Sequence, residues 1–333
     1  MNIAFFEIEE WEKPYLQHKL KGHELLFFPE HILAEHIEQI KGCQVISTFV
    51  YSELTPAMFD ALPNLKMLAV RATGYDNVNM EEVEQHGISV CNVPTYGENT
   101  VAEHAFALLL DLSRKIHQSV ESVKKEGFSV HGLRGFDLKG KTLGIVGMGH
   151  IGQHVARIAN GFEMRVMAFD THEDKKLAKK LEFHYATLEE LLKKSDIISL
   201  HAPYNTHTHH LINKENIKLI KKGAYLINTA RGGLIETQAL TTALDEGILA
   251  GVGLDVLEEE KFLREDSQLL SREVSKKHDV KVILQNHILM ERENVIITPH
   301  NAFNSQEALE RILETTVENI RGFIKGKAIN IVI

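Results

Sequence analysis

Three glycines, Gly147, Gly149 and Gly152, constrain the fold of this chain more than any other feature. They follow a short apolar segment and precede a helical pattern. A strand that turns sharply into a helix directs free backbone N–H groups and the positive end of the helix dipole toward one point. The first glycine permits the tight turn, the second lets a phosphate approach the backbone, and the third lets the helix pack on the strand. Three spaced glycines alone are also compatible with an ordinary turn.

An acidic residue at the end of the next apolar segment favours the phosphate-binding interpretation. Asp170 lies 18 positions after Gly152, where a carboxylate can accept hydrogen bonds from ribose hydroxyls. No arginine directly follows Asp170, and its carboxylate would repel the 2′-phosphate of NADP. The sequence therefore predicts a dinucleotide site that takes NAD.

Short apolar segments alternate with helical patterns on both sides of this motif. Repeated β–α units predict parallel sheets with helices on both faces, and 333 residues suffice for two cores. The predicted fold class is α/β with two doubly wound parallel-sheet domains. A continuous helix is predicted from 99 to about 125 as a connector between the domains. Further predicted helices include 31–40, 188–194, 214–219 and 238–246, with a last one over about 305–325.

Composition restricts the class of protein and its partners. The formal net charge is −9 and no basic run stands out, which disfavours nucleic-acid partners. No apolar run reaches membrane-spanning length, and the first residues lack the pattern of a secretory signal. Two cysteines, Cys43 and Cys91, cannot form a disulfide framework or a metal site on their own. These features predict a cytoplasmic enzyme without a membrane partner.

Four polar residues follow predicted strands, where a ligand of an open parallel sheet binds. Arg231 lies in a glycine-rich turn, and its guanidinium suits bidentate binding of a substrate carboxylate. Asp255 ends a strand, and Glu260 closes an acidic run in which Glu258 and Glu259 are expected to be solvated. His300 follows Thr298 and Pro299.

A histidine, a carboxylate and an arginine beside a nicotinamide suggest hydride transfer at a carbon next to a carboxylate. Reduction of a 2-oxo acid requires a proton on the developing alkoxide, which a histidine can supply. A neighbouring carboxylate orients the imidazole and stabilises its protonated form. We therefore expect Glu260 to contact His300.

Four ordered motifs, at 147–152, 228–233, 253–260 and 298–300, together resemble the D-isomer-specific 2-hydroxyacid dehydrogenase family. The resemblance implies His300 as acid/base, Glu260 as its partner and Arg231 as the substrate clamp. It also implies a flavodoxin-like substrate domain (1–98 plus 300–333), a Rossmann NAD-binding domain (99–299) and a homodimer. The further cofactor contacts that it implies are His150, Ile151, Ala202, Pro203, Thr208, Thr229, Ala230 and Asp255.

Within the family, the substrate residues resemble those of the D-lactate dehydrogenase branch. Tyr96 matches that branch's substrate tyrosine, and Phe303 matches its aromatic wall over the substrate methyl group. The backbone N–H groups of Thr73 and Gly74 match a loop that holds the substrate carboxylate, and either Tyr51 or Phe49 lines the same pocket. The insertion after Glu260, which starts with Lys261, also favours this branch. The resemblance thus implies reduction of a small 2-oxo acid, pyruvate, with NADH.

Three alternatives stay open at this stage: a different 2-oxo acid substrate, a binding protein of the same fold, and a catalytically silent relative, which the presence of Arg231, Glu260 and His300 disfavours. The substrate can be glyoxylate, hydroxypyruvate or a branched 2-oxo acid. NADH-sensing transcriptional corepressors, a class of binding protein, resemble the same fold and keep similar site residues. A cluster of histidines is also compatible with a metal site, although no acid or cysteine near it in sequence supports one and none is predicted: His201, His207, His209 and His210.

Overall fold

The computed structural model describes residues 1–125, 127–260 and 280–333. The chain divides into two compact units. Unit 1 comprises Met1–Gly97 and Asn304–Ile333, and unit 2 comprises Glu98–Phe303.

Unit 1 contains a five-stranded parallel sheet with the order β2-β1-β3-β4-β5. Its strands are β1 (Asn2–Phe5), β2 (Glu24–Phe27), β3 (Val45–Thr48), β4 (Met67–Val70) and β5 (Ser89–Cys91). Every residue of β3 and β4 is buried, as expected of strands covered by helices on both faces. This order is that of flavodoxin-like sheets, in which a ligand binds at the switch point between β1 and β3.

Helices cover both faces of the unit 1 sheet. One face packs against the helices Glu12–Lys19 and Gln306–Ile324, through Leu16, Leu313 and Val317. The other face packs against the remaining helices of the unit, Ile37–Ile40, Pro56–Ala61 and Met80–Gln85. Ile331 then forms an antiparallel bridge with Cys91 of the edge strand β5.

Unit 2 contains a seven-stranded parallel sheet with the order β12-β11-β10-β9-β6-β7-β8. Its strands are β6 (Thr142–Val146), β7 (Arg165–Phe169), β8 (Phe183–Tyr185), β9 (Ile197–Leu200), β10 (Ala224–Asn228), β11 (Leu249–Leu254) and β12 (Val295–Ile297). Its described α-helices are Glu98–Arg114, Ile116–Lys125, His150–Gly161, Lys175–Lys180, Leu188–Lys194, Thr237–Asp245 and Val280–Met290. Apolar cores lie on both faces of the sheet. The predicted α/β class with two parallel sheets is confirmed.

The prediction of one continuous helix over 99–125 is wrong, because Lys115 interrupts the helix. Lys115 has a positive φ of 52°, and the helices Glu98–Arg114 and Ile116–Lys125 lie on either side. The carbonyl of Ser113 accepts a hydrogen bond from Phe136 N–H at 2.9 Å, while His117 N–H donates to the Asp111 carboxylate at 2.9 Å. The hydrogen bond from residue 117 to residue 113 that a continuous helix requires is therefore replaced by two other contacts.

Two other predicted helices are shorter than expected. Between 214 and 219 only a 3₁₀ turn forms, Ile217–Leu219, since the Asn213 side chain accepts hydrogen bonds from the backbone of Glu215 and Asn216 and so competes with a helix. The helix predicted over 31–40 consists of a 3₁₀ turn and the single α-turn Ile37–Ile40. Three short elements were not predicted: Glu12–Lys19, Lys175–Lys180 and Phe183–Tyr185.

Lys261 and most of the predicted insertion lie outside the described residues, apart from the helix Val280–Met290. Within the described parts of the chain, no helix is both long and apolar enough to cross a membrane. Cys43 and Cys91 are buried free thiols, and desolvation raises the pKa of each to about 11. Both thiols are therefore protonated and unreactive at neutral pH.

Candidate active site

The turn between β6 and the helix His150–Gly161 requires its glycines. Gly147 has a positive φ of 98°, and a Cβ there would lie 2.7 Å from the backbone carbon of His201. A Cβ on Gly152 would lie 2.1 Å from the Gly147 carbonyl oxygen. A Cβ on Gly149, by contrast, would meet nothing within 4 Å. Two glycines thus close the turn, and the third leaves open space at the helix N-terminus, where the predicted His150 and Ile151 lie.

Asp170, directly after β7, is tied to this turn. One carboxylate oxygen accepts Met148 N–H at 2.7 Å, and the other accepts His172 N–H at 2.9 Å. The carboxylate therefore lies beside the glycine turn, as a ribose ligand must. Two buried polar atoms near the same sheet edge, Thr229 Oγ1 and His201 Nδ1, have no hydrogen-bond partner in the described structure. The residues of this edge fit a bound dinucleotide.

The other predicted cofactor residues lie in two loops at the same carboxyl edge. Ala202, Pro203 and Thr208 follow β9, and the Thr208 hydroxyl donates to the Pro203 carbonyl at 2.7 Å. Ala230 follows β10, and its N–H donates to the Asn228 side chain at 3.0 Å. Burial lowers the pKa of His201, at the end of β9, to about 3, so this imidazole is neutral.

His300 and Glu260 are in direct contact. His300 Nδ1 lies 2.5 Å from Glu260 Oε1, and the second Glu260 oxygen accepts Leu257 N–H at 3.0 Å. His300 has a positive φ of 53°, which is uncommon for a residue with a side chain and is often found at functional sites. Because Glu260 occupies Nδ1, Nε2 is the ring nitrogen that can face a ligand.

Asp255 holds the segment that carries His300. This residue is 1% exposed, and its carboxylate accepts the Thr298 hydroxyl at 2.5 Å, Asn301 N–H at 3.0 Å and Ala302 N–H at 2.9 Å. Its backbone carbonyl accepts His300 N–H at 2.9 Å. These four contacts fix the backbone on both sides of His300. The predicted contact of Asp255 with the cofactor stays a prediction.

The turn that carries Arg231 packs directly against the segment that leads to Glu260. A Cβ on Gly232 would lie 2.0 Å from the backbone carbon of Leu257, so only glycine fits there. The Asn228 side chain donates to the Arg231 carbonyl at 2.9 Å. Arg231 and Glu260 therefore belong to two turns in backbone contact, although they are 29 positions apart in sequence.

Glu258 and His104 are the site residues that the sequence did not indicate. The expectation of a solvated Glu258 is wrong: its side chain is 15% exposed and contacts His210 Nε2 at 2.6 Å. The same carboxylate accepts the Thr237 hydroxyl at 2.6 Å. His104 Nε2 lies 2.9 Å from the Thr298 hydroxyl and 3.4 Å from the Asp255 carboxylate. An acidic run and a helical periodicity carry no signal for such tertiary contacts.

The histidines of the loop after β9 pair with other groups. His209 and His210 stack with ring centroids 3.8 Å apart, and His209 Nδ1 lies 3.0 Å from the Tyr204 hydroxyl. Among the described residues, no group of three or more histidine, cysteine or acidic side chains is arranged to hold a metal ion.

The predicted substrate residues other than Phe303 and Arg231 follow strand ends of unit 1. Thr73 and Gly74 follow β4, and the Thr73 hydroxyl donates to the Val93 carbonyl at 2.9 Å. Tyr96 follows β5, and its carbonyl accepts a hydrogen bond from Arg311 Nε. Tyr51 follows β3. Phe303 lies in unit 2, three residues after His300.

Comparisons with known proteins agree with this geometry. The family model described as the D-isomer specific 2-hydroxyacid dehydrogenase, NAD binding domain, matches residues 106–302. This chain belongs to the D-isomer-specific 2-hydroxyacid dehydrogenase family. The cofactor of this family member is accordingly NAD, and the residues of the glycine turn and Asp170 are those suited to hold it.

Individual relatives cover almost the whole of this 2-hydroxyacid dehydrogenase. D-lactate dehydrogenase from Escherichia coli K12 is 34% identical, over 98% of each chain. Glyoxylate reductase from Korarchaeum cryptofilum is 36% identical, over 87% of this chain and 82% of that protein. The crystal structure of D-lactate dehydrogenase from Aquifex aeolicus, complexed with NAD and lactic acid, has a TM-score of 0.87 and 36% identity, covering 98% of this chain and 96% of that one. These relatives share the family but differ in the substrate that they are named for.

Proposed function

We propose that the chain is an NAD-dependent D-lactate dehydrogenase that transfers hydride between NADH and pyruvate. The observation that carries the proposal is the 2.5 Å contact between His300 Nδ1 and Glu260 Oε1, in the unit that also holds the glycine turn and Arg231. The D-lactate dehydrogenases among the relatives support the choice of substrate. The aromatic side chains of Tyr96 and Phe303 support a small substrate group as well.

The side chains at this site suit reduction of a 2-oxo acid. NADH, when bound, supplies the hydride for the carbonyl carbon of pyruvate. His300 donates the proton on Nε2 to the carbonyl oxygen and, in the reverse direction, takes it back from the hydroxyl of lactate. Glu260 keeps the proton on Nδ1 and stabilises the imidazolium form. Arg231 is assigned to the substrate carboxylate, through its guanidinium fork. Among the residues of unit 1, the backbone N–H groups of Thr73 and Gly74 are assigned to the substrate.

Unit 2 is the proposed NAD-binding domain, and unit 1 is the proposed substrate domain. Asp170 is assigned to the adenosine ribose and the glycine turn to the pyrophosphate. Tyr51, Tyr96 and Phe303 are assigned to the substrate side chain. The remaining residues assigned to NAD are His150, Ile151, Ala202, Pro203, Thr208, Thr229, Ala230 and Asp255.

Oxidation of NADH, followed by absorbance across a panel of 2-oxo acids, tests the proposed function. We expect kcat/KM to be highest for pyruvate, and chiral chromatography to show D-lactate as the product. Higher kcat/KM for glyoxylate would favour a glyoxylate reductase, the second candidate, which the Korarchaeum cryptofilum relative supports. NADH binding without turnover of any 2-oxo acid would instead indicate an NADH-sensing binding protein.

A cytoplasmic location is also part of the proposal. Cys43 and Cys91 are unpaired in the structure, as is usual in a reducing compartment. The proposed reaction would use the NADH of the cytoplasm.

An exposed apolar face on the helix Ile116–Lys125 supports a homodimer. Ile116, Val120 and Val123 are each about half exposed and recur at the spacing of a single helical face. Phe128 and Val130, just beyond the helix, are 99% and 89% exposed. Contiguous exposed apolar side chains mark contact surfaces, and a twofold axis lets one face cover its own copy. The proposed partner is a second copy of this chain.

The variant Val123→Glu is expected to dissociate this dimer. In a symmetric interface the variant would bury two carboxylates without partners, one from each subunit. Each costs about 1–3 kcal/mol, so we expect the dissociation constant of the dimer to rise at least about 30-fold. Sedimentation velocity at micromolar concentration measures it. The control variant Lys124→Glu changes an exposed neighbour and should leave the dimer intact. A monomeric wild-type protein, or a dimeric Val123→Glu variant, would contradict the proposal.

A further inference from the structure

The loop that follows β3, residues 49–52, is held by a single carboxylate from the end of β1. Glu7 accepts hydrogen bonds from the backbone N–H groups of Phe49 at 3.0 Å, Tyr51 at 2.8 Å and Ser52 at 3.2 Å. It also accepts the Ser52 hydroxyl at 2.6 Å. Several N–H groups that converge in this way form an anion-binding concavity, and here the anion is a side chain of the protein itself.

Glu7 is itself held in an uncommon conformation. Its φ is +55°, in the left-handed region that side chains disfavour. The buried guanidinium of Arg71 donates to the Phe6 and Glu7 carbonyls, both at 2.7 Å, and Glu7 N–H donates to the Glu30 carbonyl at 3.0 Å. These contacts on both sides of Glu7 compensate for the strained backbone and direct its carboxylate toward the loop.

The opposite side of the 49–52 loop is fixed as well. The side-chain amide of Asn77 donates to the carbonyls of Phe49 at 3.2 Å and Ser52 at 2.9 Å. The guanidinium carbon Cζ of Arg71 lies over the ring of Phe49, 5.3 Å from the centroid of that ring. The loop is thus bound by an acceptor through its N–H groups and by a donor through its carbonyls.

The position of this loop in the sheet connects it to ligand binding. In a parallel sheet with the order β2-β1-β3-β4-β5, the crevice for a ligand opens beyond the carboxyl ends of β1 and β3, where the strand order reverses. Glu7 follows β1 and the 49–52 loop follows β3, so the carboxylate joins the two sides of this switch point. The residues beside this crevice thus include Phe49 and Tyr51, whose backbone Glu7 holds.

We propose that Glu7 is a positioning residue for substrate selectivity: by fixing the 49–52 loop, it sets the space available to the side chain of the 2-oxo acid. The inference rests on the proposed function, since it takes the substrate to be a 2-oxo acid. Glu7 does not touch the substrate; it acts through Phe49 and Tyr51.

The variants Glu7→Ala and Glu7→Gln test the inference through the ratio of kcat/KM for pyruvate to kcat/KM for 2-oxo-4-methylpentanoate. Removal of the carboxylate frees the loop, so we expect this ratio to fall at least about tenfold in Glu7→Ala. Glu7→Gln keeps one acceptor oxygen and should lie between that variant and the wild type. The dissociation constant for NADH, measured by fluorescence titration, should change less than about twofold. A purely structural role would instead lower kcat/KM for both acids equally.

The exposed Glu10, which pairs with Lys13, provides the matched control Glu10→Gln, expected to keep the wild-type ratio. Amide hydrogen exchange of residues 49–52 gives a second readout, expected to be at least about tenfold faster in Glu7→Gln; this variant decides the matter if Glu7→Ala does not fold. A selectivity ratio or an exchange rate in Glu7→Gln equal to that of the wild type overturns the inference while the proposed function stands. If the wild-type enzyme reduces no 2-oxo acid, the proposed function fails and the inference falls with it.

Discussion

Replacement of His300 with alanine is expected to lower kcat for pyruvate reduction by about 10²–10⁴-fold, the usual contribution of a positioned general acid. The reason is geometric: Glu260 occupies Nδ1 at 2.5 Å, and the Asp255 carboxylate holds the chain before His300 through Thr298 and after it through Asn301 and Ala302. In the variant, water must supply the proton to the alkoxide. Steady-state kinetics at saturating NADH and pyruvate measure the effect.

Two companion variants separate loss of the acid from general damage. Glu260→Gln keeps a hydrogen-bond acceptor for Nδ1 but removes the charge behind the ring, so we expect a smaller decrease in kcat than for His300→Ala. His184→Ala changes an exposed histidine in β8 and should leave kcat unchanged. Near-normal turnover in His300→Ala would reject His300 as the acid/base.

Replacement of Arg231 with alanine is expected to lower kcat/KM for pyruvate by about 10²–10⁴-fold. Loss of a charged group that pairs with a desolvated carboxylate costs about 3–5 kcal/mol, and 1.36 kcal/mol corresponds to a factor of ten. Arg231→Lys keeps the charge but loses the planar fork, so an intermediate decrease is expected. Stopped-flow and steady-state kinetics give kcat and KM separately.

NADH affinity shows whether the loss in the Arg231 variants is specific to the substrate. The proposed role predicts an unchanged dissociation constant for NADH, measured by fluorescence. Arg292→Lys is the matched control. Arg292 forms an ion pair with Asp245 at 2.6 Å and has no proposed role in substrate binding, so the same replacement there should leave kcat/KM unchanged. Wild-type kcat/KM in Arg231→Ala would exclude Arg231 as the carboxylate ligand.

The sheets were predictable from sequence because parallel strands buried on both faces are short, continuous apolar segments. Met67–Val70, which is apolar and buried throughout, is an example. Elements whose ends depend on distant residues were not predictable. The break at Lys115 requires Phe136 to bind the Ser113 carbonyl, and no local pattern contains that contact.

In the site, too, features encoded by neighbouring residues were predicted, whereas those that depend on tertiary contacts were not. The glycine turn was recognisable because its three glycines lie within six residues between an apolar segment and a helical pattern, and Thr298, Pro299 and His300 form a compact motif. Glu258 was misjudged because an acidic run looks solvated in sequence, whereas His210 and Thr237 bury its carboxylate. The support that Asp255 gives to the backbone at 301 and 302 likewise appears only in the folded chain.

The division of unit 1 into two sequence segments affects how the chain folds during synthesis. Leu313, Val317 and Ile320 pack against Ile3 and Phe5 in one core, yet about 200 residues of unit 2 lie between the two segments. At about 5–20 residues per second, the ribosome needs about 10–40 s to make that interval. During this time the N-terminal sheet of the nascent chain lacks the helix that covers one of its faces. The apolar side chains on that face stay exposed, and chaperones bind surfaces of this kind.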